Sequence, residues 1–322
     1  MRKYVCFFCV LLLCLISFFV YPQFVSAKNI ILGFVQVSAE GTWRMTNTLS
    51  VKKSAEEAGI HLIYREGLNN YTNQIKEMKE LILMGIDVLA FSPSQVEGWD
   101  EILEEAKEAG IPVIILDRAI NTKDASLYVT HIGSDMIEEG RRAAHWLLKY
   151  MDEKKKSGEI RIVILEGVEG STPAVHRDMG FREILSSHEN YKIVQSEPAN
   201  YIYSKGKEVM FDFLKAEDGK IDVVFAHNDE MALGAIEAIE VYGKVPGTDI
   251  VIIGVDAIKK ALGAIIDGKM NASIECSPLL GPQLVNAIKD LMEGKEVTKR
   301  IITVEEDFDI NNASAVIGER TY

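Results

Sequence analysis

From residue 28 onward, short apolar runs alternate along the chain with longer stretches in which apolar residues recur at helical spacing. The apolar runs are rich in β-branched residues and flanked by turn residues, a pattern typical of strands buried on both faces of a sheet. We therefore predict strands at 30–37, 88–92, 112–117, 160–166, 223–226 and 250–256. Helices are predicted at 46–58, 73–84, 100–109, 136–151, 175–187, 204–215 and 229–242.

Three of the predicted helices end in the same way. Each runs into a glycine followed by isoleucine, and the glycines are Gly59, Gly85 and Gly110. Glycine adopts the positive φ that closes a helix, and the next strand then begins almost at once. This rhythm of strand, helix and strand predicts an α/β fold of doubly wound parallel sheets with right-handed crossovers. A chain of 322 residues has room for about two such domains.

The first 27 residues differ from the rest of the chain. Arg2 and Lys3 precede an almost wholly apolar run at 5–20, and Val25-Ser26-Ala27 supplies the small residues of a signal-peptidase site. We interpret 1–27 as an export signal. An uncleaved membrane anchor is the alternative, although the run is shorter than the roughly 20 residues that cross a bilayer.

Charge and composition narrow the range of ligands. The chain has 48 acidic and 35 basic side chains, a net charge of −13. A phosphate backbone requires clustered Lys and Arg, so we expect no nucleic-acid partner and favour a neutral or cationic ligand. Three of the 4 cysteines lie in the predicted signal, which leaves Cys276 without a disulfide partner. The 6 histidines are scattered without the spacing of metal ligands, so no metal or cofactor is expected.

Polar side chains follow the carboxyl ends of the predicted strands, where ligands bind in open parallel sheets. These side chains are Glu40, Trp43, Arg44, Ser92, Asp117, Arg118, Arg177, Asn228 and Asp256. Charged groups make strong, directional hydrogen bonds to hydroxyls, and an aromatic face packs against the C–H face of a sugar ring. The residues therefore favour a carbohydrate ligand. Trp43 follows a glycine-containing loop at a strand end, and we expect it to contact the ligand.

An enzyme is the less favoured alternative. The chain lacks the glycine-rich nucleotide-binding motifs, the Gly-x-Ser-x-Gly of hydrolases and the His-Glu-x-x-His of zinc enzymes. Asp117 and Asp256 could be the two carboxyl groups of a glycosidase. However, the neighbouring Arg118 suits Asp117 to accepting hydrogen bonds rather than to donating a proton. We expect a binding protein without enzymatic activity.

The same strand ends resemble a known family. Phe225-Ala226-His227-Asn228-Asp229, Leu116-Asp117-Arg118 and Gly254-Val255-Asp256 resemble the pentose and hexose branch of type I periplasmic sugar-binding proteins, the receptors of ABC importers. More narrowly, Gly41-Thr42-Trp43-Arg44 and His176-Arg177-Asp178-Met179 are similar to the galactofuranose-binding receptors of that family. The similarity extends over nearly the whole chain after the predicted signal.

The resemblance implies two α/β lobes joined by a three-strand hinge, with the sugar enclosed between them. The first lobe would comprise 28–131 plus 277–300, and the second 132–276 plus 301–322. The implied substrate-binding residues are Glu40, Trp43, Arg44, Ser92, Asp117, Arg118, Arg177, Tyr201, Asn228 and Asp256. Glu275 or Cys276 could also line the site, since both lie near a crossing between the lobes.

The resemblance also implies a function. The protein would be exported to the periplasm or to the outer face of the cytoplasmic membrane, close on one monosaccharide as a monomer and present it to a membrane ABC permease. Galactofuranose is the leading ligand, while arabinose and galactopyranose stay open. An extracytoplasmic sensor subunit of a two-component or chemotaxis system is the alternative. A sugar-responsive repressor would carry an N-terminal helix-turn-helix where this chain has its predicted signal.

Overall fold

A computed structural model describes residues 30–39 and 41–322. The predicted export signal at 1–27 lies outside the described residues, and so does the predicted site residue Glu40. Within the described ranges, no helix combines the length and the apolar character that crossing a membrane requires.

The helices and strands alternate along most of the chain. The strands are β1 Ile31–Gln36, β2 His61–Glu66, β3 Val88–Phe91, β4 Val113–Leu116, β5 Thr130–Gly133, β6 Ile160–Glu166, β7 Tyr191–Pro198, β8 Val223–Ala226, β9 Val251–Val255, β10 Ala272–Ile274, β11 Arg300–Ile302 and β12 Asp307–Asp309. The helices are α1 Gly41–Glu57, α2 Tyr71–Leu83, α3 Asp100–Glu108, α4 Met136–Glu153, α5 Thr172–Leu185, α6 Tyr203–Ala216, α7 Asp229–Tyr242, α8 Lys259–Ile266, α9 Gly281–Met292 and α10 Ala313–Val316.

The strands form two sheets, one in each lobe. The first sheet has the order β11-β5-β4-β3-β1-β2, and the second has the order β12-β10-β9-β8-β6-β7. All strand pairs are parallel except β10 with β12, which is antiparallel. The first strand of each lobe, β1 or β6, is therefore an interior strand next to the edge strand β2 or β7, and the late strands β11 and β12 form the opposite edges. The fold is the predicted pair of doubly wound α/β lobes.

Each sheet is covered by apolar side chains on both faces. Neighbouring residues of β1 show this directly, because Phe34 packs into one core of the first lobe and Val35 into another. In the second lobe, Val224 and Phe225 of β8 divide in the same way between two cores. Alternation of buried side chains to opposite faces explains why these strands are continuous apolar runs in the sequence.

Within 30–39 and 41–322, three crossings connect the lobes. The first crossing, 134–135, leads from β5 to α4. The second, 275–280, leads from β10 to α9, and the third, 303–306, leads from β11 to β12. Three short connections placed side by side form a hinge about which two rigid lobes can rotate.

The structure contains more elements than the sequence pattern predicts. Gly59, Gly85 and Gly110 have φ between 68° and 72°, as expected for glycines that end helices. The strands absent from the prediction are the half-exposed edge strands β2 and β7 and the short strands β5, β10, β11 and β12. These strands lack the continuous apolar run of a central strand, so hydrophobic periodicity does not reveal them.

Helix α1 begins at Gly41, five residues before the predicted start at 46. Its buried face carries Arg44, Asn47 and Thr48, so the first turns lack the apolar stripe by which a helix is recognised. Trp43 and Arg44 therefore lie in the first turn of a helix and not in a loop.

Candidate functional site

A cavity of about 490 Å³ lies between the two lobes, at the carboxyl ends of their strands. This volume is within the range of roughly 300–1,000 Å³ that is typical of small-molecule sites. The structure places eight predicted site residues in its lining: Trp43, Arg44, Asp117, Arg118, Arg177, Tyr201, Asn228 and Asp256. Cys276 lines it too.

Ser92 and Glu275 lie elsewhere. Ser92 is fully buried and is not among the residues that line the cavity; its hydroxyl lies 3.1 Å from Nη1 of Arg44. Glu275 forms an ion pair with Arg320 and accepts a hydrogen bond of 2.9 Å from the hydroxyl of Tyr322. Ser92 therefore supports a lining residue from behind, and Glu275 ties the end of the chain to the second crossing.

The first lobe contributes an ion pair to the cavity wall. Nη2 of Arg44 lies 2.6 Å from Oδ2 of Asp117, and Nη1 of Arg44 also donates to Oε1 of Gln36 at 3.3 Å. The ion-pair partner of Asp117 is thus Arg44, while the adjacent Arg118, which we expected to support Asp117, interacts with it as a nearby opposite charge. Consecutive side chains leave the backbone in different directions, whereas Arg44 reaches Asp117 from the facing helix α1.

Asp117 is held in an unusual backbone conformation. Its φ is 63°, in the left-handed region that side chains other than glycine rarely adopt. Nε2 of His131 lies 2.8 Å from the carbonyl oxygen of Asp117, and a Cβ atom on Gly133 would come within 3.1 Å of the same backbone. Burial, followed by the nearby charge of Arg300, lowers the pKa of His131 to about 4. The neutral ring can therefore donate its N–H to the Asp117 carbonyl.

Arg118 differs from Arg44 because one nitrogen of its guanidinium has no hydrogen-bond partner among the described residues. Its side chain lines the cavity, the residue is only 8% exposed, and its buried Nε has no hydrogen-bond partner in the described ranges. Burial, and then the like charge of Arg44, lowers its pKa from the ordinary value. An unsatisfied buried donor is costly, and a ligand that supplies an acceptor removes that cost.

The second lobe holds Arg177 in the opposite wall. Nε of Arg177 donates to Oε2 of Glu139 at 2.6 Å, and Nη1 donates to the carbonyl oxygen of His227 at 2.5 Å. Burial alone would lower the pKa of Arg177, but Glu139, Cys276 and Asp256 together raise it well above the ordinary value. Its guanidinium therefore stays charged and fixed in place.

Asp256 lies beside Arg177, with Oδ1 3.8 Å from Nη2. Its φ of 119° lies in the positive region, so the backbone at this strand end is strained as it is at Asp117. Burial raises the pKa of Asp256 well above its ordinary value although Arg177 opposes the change. A hydrogen-bonding ligand would offset the cost of burying this carboxylate.

Asn228 and Tyr201 complete the second wall. Oδ1 of Asn228 accepts from the backbone N–H of Met231 at 3.0 Å and so caps helix α7, while Nδ2 donates to the carbonyl oxygen of Tyr201 at 3.3 Å. The hydroxyl of Tyr201 lies 3.1 Å from that of Ser171. Burial raises the pKa of Tyr201, so its hydroxyl is neutral and can both donate and accept.

Contacts across the cleft show that the lobes are closed. Nε1 of Trp43, in the first lobe, donates to the carbonyl oxygen of Cys276 at 2.6 Å, and its ring packs against a core of the second lobe. Oγ1 of Thr42 donates to Oε1 of Glu230 at 2.7 Å. The predicted ligand contact Trp43 is therefore also a bridge between the lobes.

Sequence reasoning did not identify Glu139, the buried partner of Arg177. A signal for it exists, because the buried stripe of α4 includes Met136, Glu139, Gly140 and Ala143. A carboxylate on the apolar stripe of a helix requires a buried partner. The bridging residues Thr42 and Glu230 leave no comparable pattern.

One group of side chains could be considered for a cation. Glu139, Cys276 and Glu305 each have one ligand atom within 4.8 Å of the others. However, Oε1 of Glu305 already accepts hydrogen bonds from Ser134 at 2.5 Å and from Thr303 at 2.7 Å, and Arg177 occupies Oε2 of Glu139. We interpret the group as a hydrogen-bonded cluster of the hinge.

Two parallel-sheet lobes joined by three crossings around one polar cavity define the class of two-lobed ligand receptors. The chain belongs to the periplasmic binding protein family, whose domain model matches residues 32–296, and it has the type I fold of that family. It is 40% identical over 259 residues to the galactofuranose-binding protein YtfQ of Escherichia coli (strain K12), and the match covers 80% of each chain.

Solved structures give the same classification. A protein from Mycobacterium smegmatis in complex with β-D-fucofuranose is 47% identical, with a TM-score of 0.87, and the match covers 91% of this chain and 95% of that one. The periplasmic binding protein component of the arabinose ABC transporter from Shewanella sp. ANA-3, bound to α- and β-L-arabinofuranose, is 40% identical with a TM-score of 0.86. That match covers 90% of this chain and 95% of the other.

Proposed function

We propose that this protein is an exported receptor that encloses one monosaccharide in its furanose form and delivers it to an ABC permease. The boundaries expected after 131 and after 300 would divide β5 and β11, which both belong to the first sheet, so we propose that the lobes meet at the crossings 134–135, 275–280 and 303–306. The protein would act as a monomer. The names of the similar proteins support this function, because they describe galactofuranose, fucofuranose and arabinofuranose ligands.

The observation that carries the proposal is the unsatisfied Nε of the Arg118 guanidinium. Its side chain is buried in the wall of a closed cavity, and its Nε has no partner in the described ranges. Hydroxyl oxygens of a sugar, which accept as well as donate hydrogen bonds, would supply the missing partners at no cost in net charge. A neutral polyol therefore suits this wall better than a cation does.

The cavity walls formed by the two lobes would bind different groups of the sugar. Asp117 and Asp256 would accept hydrogen bonds from hydroxyl groups, while Arg118, Arg177 and Asn228 would donate to hydroxyl or ring oxygens. Tyr201 would present its ring or hydroxyl from the second lobe. Because the sugar touches both walls only when the lobes are closed, binding would convert directly into the closed shape.

Trp43 would pack its face on the sugar, and Ser92 would act indirectly by holding Arg44 and Asp117 in place. Glu40 stays a proposed specificity residue beside them. We propose that the site binds without turnover: the carboxylate of Asp117 lies 2.6 Å from Arg44, an arrangement that suits the acceptance of hydrogen bonds.

The decisive experiment is a calorimetric titration of the purified protein with a panel of monosaccharides. We expect a furanose-forming sugar to bind with a micromolar or lower dissociation constant, which corresponds to about 8 kcal/mol. Arg118→Ala should weaken this binding at least about 100-fold, the loss expected for about two charge-assisted hydrogen bonds. Arg141→Ala is the matched control, since Arg141 pairs on the surface with Glu183.

The result would contradict the proposal if Arg118→Ala bound the sugar as the unchanged protein does, or if no sugar in the panel bound. The sensor alternative shares the binding step and differs only in the partner of the closed form. Sugar uptake in vesicles that contain the permease, with and without the receptor, would distinguish an importer from a sensor subunit.

A further inference from the structure

The three crossings of the hinge meet at one carboxylate, that of Glu305. Its Oε1 accepts from Oγ of Ser134 at 2.5 Å, from the backbone N–H of Ser277 at 2.8 Å and from Oγ1 of Thr303 at 2.7 Å. These donors belong to the first, second and third crossing, respectively. Glu305 therefore joins all the segments about which the lobes rotate.

A second carboxylate links this point to the cleft. Glu139 is fully buried, and its Oε2 holds Nε of Arg177 at 2.6 Å. Its Oε1 is buried as well and has no hydrogen-bond partner in the described ranges. One oxygen of Glu139 and one of Glu305 lie within 4.8 Å of each other, a gap that a single water molecule can span. A buried acceptor without a donor is costly. Of the two neighbours in this cluster, Cys276 offers only a weak S–H donor, whereas a protonated Glu305 offers an O–H.

We propose that the carboxyl group of Glu305 is protonated and directs its O–H as a hydrogen-bond donor toward the free oxygen of Glu139. Because Glu139 in turn holds Arg177, the hinge positions Arg177 for the sugar. Glu305 and Glu139 are then positioning residues, since neither is among the residues that line the cavity. This inference rests on the proposed binding function.

The surroundings of Glu305 favour the protonated form. Burial, followed by the negative charge of Glu139, raises the pKa of Glu305 to about 7, although the hydrogen bonds from Ser134, Ser277 and Thr303 oppose the change. The other ionisable groups around the cluster are Arg300 on β11, Cys276 on the second crossing, Arg177 on α5 and Asp256 after β9. Burial, followed by Glu139, raises the pKa of Cys276 well above its ordinary value, so the thiol stays neutral near pH 7.

The sign of the pH effect follows from the geometry. Opening the lobes would expose Glu305 to water and separate it from Glu139, so its pKa would fall toward the ordinary value for a glutamate. Closure of the lobes would then bind one proton at any pH at which Glu305 is protonated in the closed form and ionised in the open form. Sugar affinity should be greatest at low pH, decline as the pH rises through about 7 and level off above it.

The test compares sugar affinity from pH 5.5 to 8.5 for the unchanged protein, Glu305→Gln and Glu306→Gln. Glutamine keeps the shape of Glu305 but cannot titrate, and Glu306 is an exposed neighbour that undergoes the same chemical change. Because burial also raises the pKa of Asp229 to about 7, the readout is the ratio of each variant's dissociation constant to that of the unchanged protein at the same pH. We expect the Glu305→Gln ratio to change about tenfold over this range and the Glu306→Gln ratio to stay constant.

A constant ratio for Glu305→Gln would overturn the proposal. If that variant does not fold, Glu139→Gln serves instead, because it removes the charge that raises the pKa of Glu305 and should move the pH midpoint below that of the unchanged protein. If the unchanged protein binds no sugar, the proposed function fails. The melting temperature then tests separately whether Glu305 is protonated in the folded protein. A melting-temperature difference between the protein and Glu305→Gln that changes near pH 7 would support it, and a difference independent of pH would refute it.

Discussion

The two walls of the cleft each contain an arginine with a carboxylate partner, but they are built differently. In the first lobe, Arg44 pairs with Asp117, which itself lines the cavity. In the second lobe, Arg177 pairs with Glu139, which is fully buried behind the wall and beside the hinge. The first pair is complete within one lobe, whereas the second connects the cleft to the crossings. The walls should therefore respond differently to loss of one partner.

The largest difference is expected for the second wall. Arg177→Ala would leave the buried carboxylate of Glu139 without its cation, so we expect a loss of about 3–5 kcal/mol in the free energy of unfolding as well as loss of measurable sugar binding. Chemical denaturation followed by calorimetry would measure both quantities.

The matched change in the first wall is Asp117→Asn. Asn keeps the shape of Asp117, and Arg44 retains Ser92 and Gln36 as neutral partners. We expect sugar affinity to fall at least about tenfold, because the hydroxyl groups lose a charged acceptor. The unfolding free energy should fall by less than it does for Arg177→Ala, because Arg44 loses its counter-ion but keeps two neutral hydrogen-bond partners. Equal destabilisation by the two variants would show that the walls do not differ in this way.

The residues of the walls were predicted from the sequence, but their pairing was not. Asp117 and Asp256 are recognisable because each directly follows a buried apolar strand, and Asn228 follows such a strand after one intervening residue. The sequence indicates a charge next to Asp117 at Arg118 but not the ion pair with Arg44, because adjacency in the chain does not report the direction in which a side chain leaves the backbone. Arg44 comes from a different element, and its helix was itself predicted to start five residues late.

Trp43 provides a further test of the difference between the walls, because it connects the first wall to the second crossing of the hinge. Trp43→Phe keeps an aromatic face but removes the N–H that donates to the carbonyl oxygen of Cys276. Because this hydrogen bond joins the two lobes, its loss should destabilise only the closed form, by about 1 kcal/mol. Sugar binding should then weaken about fivefold. Trp146→Phe is the control, since Nε1 of Trp146 donates to Asp309 inside the second lobe at 3.0 Å. Trp146→Phe should lower stability without changing affinity, and an equal loss of affinity in both variants would argue against a bridge.

The smallest effect is expected at the rim of the cleft. Oγ1 of Thr42 donates to Glu230 across the lobes at 2.7 Å, but Thr42 is partly exposed, so water replaces the bond when the lobes open. Thr42→Val should weaken sugar binding by about twofold, because a partly exposed polar pair contributes roughly 0.2–1 kcal/mol. Thr46→Val is the control on the same helix, since its hydroxyl donates to the backbone carbonyl of Thr42 and reaches no residue of the other lobe. A loss for Thr42→Val as large as that for Trp43→Phe would mean that the rim, and not the contact with the hinge, holds the closed form together.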